Sequence, residues 1–141
     1  MSKADDVKQF MTACDQAVRD EPTVITDQEK WERFAMLNEE FSEHKKALAD
    51  LKKAVEYHNA SATKDAMTDL ADSLVDIVYI AIGTAHAYGF DFDELWRLVH
   101  ENNLTKRDPD TGKVVKVNGK VVKPEGFIPV DLRSSIFPPK H

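Results

Sequence analysis

Over residues 70–82 apolar side chains fall on nearly every side of a helix: Leu70, Leu74, Val75, Ile77, Val78, Ile80 and Ile82. A helix that is apolar all round is expected to be buried. Residues 65–83 are therefore the expected centre of the fold. The same stretch carries Asp65, Asp69, Asp72 and Asp76. At about 100° per residue these fall within roughly 60° of one another, as one acidic stripe. A buried carboxylate is costly unless it is paired, hydrogen-bonded or bound to a metal. A divalent cation is the simplest group to sit opposite the stripe.

The pattern before this stretch predicts two helices. Val7, Phe10, Met11, Cys14 and Val18 recur at spacings of three and four, which predicts a short amphipathic helix over 4–19 with Cys14 on its apolar face. Glu21-Pro22 breaks it. Thr26 followed by Glu29 is a capping-box pattern, and no Gly or Pro follows until well past Tyr57, so a long helix is expected to about residue 58. Its apolar line is Trp31, Phe34, Leu37, Phe41, Leu48 and Leu51, and it carries Glu39, Glu40 and Glu43. Residues 58–63 read as a polar loop, with Thr63 placed to cap the apolar helix and Gly89 to end it near Tyr88. Asp91 can cap a fourth helix that ends near residues 102–105. After Lys106 the character changes. Val-rich segments flank Asn118-Gly119, a hairpin signal. One helical turn is expected at 130–136.

Two long consecutive helices with a short polar connection predict an antiparallel helical hairpin. The fold class is all-α: that hairpin plus short flanking helices, assembled into an oligomeric helical bundle, with a small C-terminal hairpin tail. Residues 1–106 form the expected helical domain and 107–141 the tail. Two long and two short helices leave more apolar surface than one chain can cover, so at least a homodimer is expected.

Composition narrows the function. The chain has 141 residues and a net charge of −6. That balance argues against a general nucleic-acid binder, since phosphate contacts need a basic surface. A nucleotide whose charge a metal neutralises remains compatible with it. The tail is locally basic, with Lys113, Lys116, Lys120 and Lys123. Cys14 is the single cysteine, so no disulfide forms within the chain, which fits a reducing compartment. The first ten residues, MSKADDVKQF, do not resemble a signal peptide, and the most apolar run is too short to span a bilayer. The expectation is a cytoplasmic protein with no membrane partner.

The hairpin brings residues near 40 level with residues near 73, gathering four or five carboxylates around one point. Such oxygen ligands suit Mg²⁺, with Mn²⁺ as a substitute. Glu39, Glu40 and Glu43 fit a solvated helix face equally well from their own helix alone. Asp72 and Asp76 fit it less well, because their helix is apolar elsewhere. No Glu-x-x-His appears on the two long helices, which argues against a di-iron bundle. One cysteine and scattered histidines argue against zinc, and there is no P-loop. His86 fits a hydrogen-bonded core histidine better than a base. His100 suits a helix C-terminus. Asn103 and Lys106, one turn apart, are equally able to bind a phosphate oxygen or simply to end a helix.

Glu39-Glu40-Phe41-Ser42-Glu43 resembles the E-E-x-x-E signature of the all-α nucleoside triphosphate pyrophosphohydrolases, which include MazG proteins, dimeric dUTP pyrophosphatases and phosphoribosyl-ATP pyrophosphohydrolase. The similarity is carried further by Asp76-Ile77-Val78-Tyr79, Gly83-Thr84-Ala85, Gly89-Phe90-Asp91 and His100 with Asn103 and Lys106. It covers roughly residues 37–106, and Lys120 to Phe127 resembles the tail of some members. The resemblance implies Mg²⁺-dependent hydrolysis of a nucleoside triphosphate between the α- and β-phosphates, to a monophosphate and pyrophosphate. It implies Glu39, Glu40, Glu43, Asp72 and Asp76 as metal ligands, Glu40 or Glu43 as the base, and Asn103, Lys106 and His100 as substrate-binding residues. It also implies a dimer or tetramer. One departure stands out. The family's second half-motif is usually E-x-x-D, and with Asp76 as its aspartate the glutamate position holds Ser73. Asp72 then supplies the missing carboxylate, or Asp69 with Asp72 forms the pair in another register. The alternatives of another class are a non-catalytic helical interaction module and a nucleotide binder without catalysis.

Overall fold

The computed structural model describes residues 1–140. Its elements are α1 (Lys3–Ala13), α2 (Asp27–Glu56), α3 (Ala60–Tyr88), α4 (Phe92–Leu104), β1 (Val115–Val117), β2 (Lys120–Val122) and α5 (Arg133–Ile136). The fold is all-α with a small C-terminal β-hairpin, as the hydrophobic pattern predicts. The chain divides into two compact units, Met1–Gly89 and Phe90 onward.

In the first unit α2 and α3 form the antiparallel hairpin, and α1 packs against α3. Thr26 caps α2 through a bond from the Glu29 amide at 3.2 Å. The Glu29 carboxylate, which the capping box would turn back on the cap, instead takes Arg19 in a two-point ion pair at 2.9 and 3.0 Å. Arg19 in turn donates to the Ala87 carbonyl at 2.6 Å, and the Arg19 and Thr23 amides donate to His86 O and Tyr88 O. The loop after α1 thus satisfies the free carbonyls at the end of α3. Gly89 ends that helix in the left-handed region, at φ 77°, and lies so close to the Glu21 backbone that no side chain fits.

Two boundaries, the end of α1 and the start of α3, differ from expectation, while α2 ends close to the expected residue 58. Helix α1 stops at Ala13 rather than near residue 19. Asp15 takes φ 57°, Gln16 N bonds Met11 O at 2.9 Å and Asp15 N bonds Thr12 O at 3.2 Å, which is a Schellman ending without glycine. Cys14 consequently lies exposed, not on an apolar helix face. Helix α2 ends in the same way, with His58 at φ 51° and Asn59 N bonded to Ala54 O at 3.0 Å. Asn59 then caps α3 directly, accepting from the Ala62 amide at 2.9 Å, so the expected loop over 58–63 and the Thr63 cap are replaced by a much tighter connection.

The expectation that residues 70–82 are buried on all sides is also corrected. Ser73 and Ile82 are buried, whereas Leu74, Val75 and Val78 are about half exposed in the single chain. Helix α2 shows a matching feature: Phe34, Phe41, Leu48 and Val55, at seven-residue intervals, are each about half exposed. By length and composition α3 would qualify as a membrane span. In the fold it is one arm of the hairpin, tied to α2 by polar contacts. Arg33, only 7 % exposed, reaches from α2 and donates to Thr84 Oγ1 at 3.2 Å and Ile80 O at 3.3 Å. Burial pushes its guanidinium below the usual value, with the Glu29 charge opposing. Gly83 makes room for it, since a Cβ there would strike the Arg33 guanidinium.

In the second unit, Asp91 caps α4 by accepting from the Glu94 amide at 3.1 Å. The strands pair antiparallel with Val117 opposite Lys120, and Asn118 and Gly119 take φ 52° and 78°, the two left-handed positions of a tight hairpin turn. The expected turn of helix at 130–136 is α5, held at its start by Asp131 accepting from Ser134.

Candidate active site

The register of the helical hairpin places Glu40 and Glu43, one turn apart on α2, opposite Asp76 on α3. One carboxylate oxygen from each lies within 4.8 Å of the others. Glu40 and Asp76 are partly buried and Glu43 is exposed. The next turn toward the connection is fixed by a polar pin: His44 Nδ1 lies 2.8 Å from Ser73 Oγ, and Ser73 is 3 % exposed. Beyond the cluster on the other side, Arg33 makes its bonds to Ile80 and Thr84. The carboxylates therefore lie between two polar ties that hold α2 and α3 in one register.

The electrostatics of the cluster is unbalanced. Among the described residues no lysine, arginine or histidine forms an ion pair with Glu40, Glu43 or Asp76. Glu40 Oε2 is buried without a hydrogen-bond partner. Burial, followed by the charges of Glu43 and Asp76, pushes the Glu40 carboxyl up from 4.5 to about 6, and Glu39 adds to the effect. An orphaned carboxylate oxygen beside two further carboxylates fits a hard divalent cation, which supplies the missing positive charge and takes oxygen ligands. Glu40, Glu43 and Asp76 are the residues able to hold it.

The other expected ligands stand at the edges. Glu39 is exposed next to Glu40 and outside the three-carboxylate group. Asp72, one turn before Asp76, is exposed and lines a recess of about 200 Å³ together with Glu43, Lys46, Asp50 and Asp69. Asp65 is exposed nearer the helix connection, as a solvated residue would be. In the second unit His100 is exposed on α4, and Lys106 donates to Asn103 Oδ1 at 2.8 Å. His86 is half-buried and its Nε2 donates to the Ala4 carbonyl at 2.7 Å, which makes it a structural histidine.

The sequence reading missed His44. The signal was present: Leu37, His44 and Leu51 are seven residues apart and all partly buried on α2, so His44 occupies an inward position between two leucines. A polar residue at such a position needs a partner across the interface, and Ser73 is that partner.

No curated protein matches the chain. The family profile of phosphoribosyl-ATP pyrophosphohydrolase matches residues 7–103. That span takes in most of α1, all of α2 and α3 and nearly all of α4, so the profile covers the helices that carry the carboxylates as well as those that flank them. The family implies a pyrophosphohydrolase acting on a nucleotide, and the chain belongs to it: the phosphoribosyl-ATP pyrophosphohydrolase family, within the MazG-like nucleoside triphosphate pyrophosphohydrolase superfamily.

Proposed function

We propose that the protein hydrolyses a nucleoside triphosphate between the α- and β-phosphates, giving a monophosphate and pyrophosphate, with Mg²⁺ as cofactor and Mn²⁺ as a substitute. The observation that carries the proposal is the convergence of Glu40, Glu43 and Asp76 within 4.8 Å, with no cationic side chain paired to them among the described residues. A divalent cation held there supplies charge for phosphate oxygens and acidity for a bound water. Glu40, Glu43 and Asp76 hold the cation, and Glu39 and Asp72 add charge from the edges. In the metal-free site, burial and the neighbouring carboxylates hold the Glu40 carboxyl at about 6. Glu40 or Glu43, whichever is less engaged by the cation, takes the proton of the attacking water. Asn103, Lys106 and His100 bind the phosphate tail, with Lys106 oriented by its bond to Asn103.

The functional region is residues 1–106, with 107–141 as a tail; the family match ending at residue 103 supports this span, while α4 folds with the tail in the second compact unit. The assembly is a homodimer or tetramer, supported by the exposed apolar positions Phe34, Phe41, Leu48 and Val55 on α2 and Leu74, Val75 and Val78 on α3. Strict seven-residue spacing on α2 suits packing against another helix in a left-handed supercoil. We place the protein in the cytoplasm. Its net charge of −6 favours a single nucleotide over a nucleic-acid polymer.

The test is product analysis on a panel of nucleoside triphosphates with Mg²⁺. Monophosphate and pyrophosphate in equal amounts support the proposal. Orthophosphate and diphosphate, or no turnover of any nucleotide, contradict it. Nucleotide binding without turnover would leave a binder in place of an enzyme.

A further inference from the structure

The second unit gathers positive charge at one aromatic ring. Lys106, just after α4, and Lys123, just after β2, both place Nζ over the Phe127 ring, 5.7 and 5.4 Å from its centroid. Each contact holds an ammonium in place at modest gain. Among the described residues neither lysine forms an ion pair with a carboxylate. Two like charges are thus brought to one ring without an anion to offset them.

The ring is presented by ordered backbone. Phe127 N bonds Pro124 O at 3.1 Å, and Gly126 takes φ 82°, which closes a turn that needs glycine at that position. The segment is anchored to α4 by Asn102 Nδ2, which donates to Ile128 O at 2.8 Å. Phe127 also lines a cleft of about 690 Å³ with Leu98, Arg107, Pro124 and Ile128. That volume is in the range of small-molecule sites, about 300–1,000 Å³. Glu125 and Asp131 lie on the same cleft, but both Asp131 oxygens are already engaged by Ser134 at the start of α5.

Neither lysine lines the cleft itself; they meet over the ring of Phe127 at its edge. We propose that this Lys106–Phe127–Lys123 group is a polyphosphate site, in which Lys123 joins Lys106 to bind a phosphate chain. The proposal rests on the pyrophosphohydrolase reading and adds to it two residues of the tail, Lys123 as a phosphate ligand and Phe127 as the seat that keeps both ammonium groups together. Lys116 and Lys120 are exposed on the β-hairpin and serve as controls for diffuse attraction by a basic tail.

The experiment is calorimetric titration of the full-length protein with inorganic tripolyphosphate in metal-free buffer. Lys123→Ala is expected to weaken binding about tenfold, the loss of one charge-assisted contact. Phe127→Leu, which keeps an apolar side chain but removes the ring, is expected to weaken it several-fold, while Lys116→Ala and Lys120→Ala stay within about twofold of wild type. Equal losses for all three lysine variants, or no binding by wild type, would overturn the subsite. Turnover assays separate the two proposals. Nucleotide hydrolysis with an unchanged KM in Lys123→Ala overturns the subsite alone. Tripolyphosphate binding that depends on Lys123, in a protein that turns over no nucleotide, upholds the subsite and overturns the enzymatic reading.

Discussion

His44 Nδ1 and Ser73 Oγ, 2.8 Å apart, join α2 to α3 one turn from the carboxylates. Ser73 has one hydroxyl hydrogen, and it is donated to Leu70 O at 2.8 Å. Oγ then accepts from His44, so Nδ1 carries a hydrogen.

Two outcomes follow for this pair. Nitrogen NMR at neutral pH should show a hydrogen on Nδ1 of His44. A double-mutant cycle with Ser73→Ala and His44→Ala should return a coupling of about 1–2 kcal/mol, because either change leaves the other polar group without its partner at a buried position. An Nε2–H tautomer, or additive losses, would show that the bond does not form in solution.

Glu40 makes stability depend on pH. Its folded-state carboxyl lies at about 6, above the ordinary 4.5, so the folded protein binds this proton more tightly than the unfolded chain. The stability it contributes is complete below about pH 4.5 and is lost as pH rises through about 6. In chelator, the wild-type melting temperature should therefore rise relative to Glu40→Gln as pH falls from about 7 to about 5. Mg²⁺ affinity should weaken over the same window, because protons compete for the same oxygens. A wild-type to Glu40→Gln difference that is flat across this range would remove Glu40 from the cluster.

Gly83 tests the packing behind the site. A methyl group there would strike the Arg33 guanidinium, and Arg33 cannot swing away without breaking its bonds to Ile80 and Thr84. Gly83→Ala should cost about 1–3 kcal/mol in denaturant unfolding, despite the higher helix propensity of alanine. A stabilised variant would mean that Arg33 is free to move.

The exposed apolar positions on α2 and α3 call for a partner. Sedimentation at micromolar concentration should show at least a dimer, and Leu48→Glu together with Leu74→Glu should shift it toward monomer. A wild-type protein that is folded and monomeric at that concentration would sink the assembly proposal.

Much of this fold was legible in local chemistry. Thr26, Asp91, Gly89 and Asn118-Gly119 mark their boundaries because each supplies a cap or a left-handed turn by side chain or by lack of one. The end of α1 was illegible because Asp15 occupies the left-handed position where glycine is the usual signal, and the start of α3 because His58, also left-handed, lets Asn59 cap it at once. The expected register, residues near 40 level with residues near 73, is off by about one turn: Glu40 faces Asp76, while Ser73 faces His44. Asp72 looked equivalent to Asp76 on the acidic stripe, yet it is exposed and outside the three-carboxylate group. Local pattern identifies the acids on each helix, whereas the inter-helix register decides which of them meet. Nor does a run of apolar residues say whether its cover comes from the same chain, which is why Leu74, Val75 and Val78 read as core and stand half exposed in the single chain.

The most direct test of the metal centre is the melting temperature of Asp76→Asn in chelator and in Mg²⁺. Asp76 has no cationic partner among the described residues, and its charge helps to raise the Glu40 carboxyl. Removing that charge relieves repulsion, so the variant should melt in chelator at the wild-type temperature or above. Mg²⁺ should stabilise wild type, by about 2.7 kcal/mol at a hundredfold excess over Kd. The variant should lose much of that gain and all hydrolysis. A clear drop in the metal-free melting temperature of Asp76→Asn, with Mg²⁺ leaving wild type unchanged, would contradict the account and make Asp76 a structural residue.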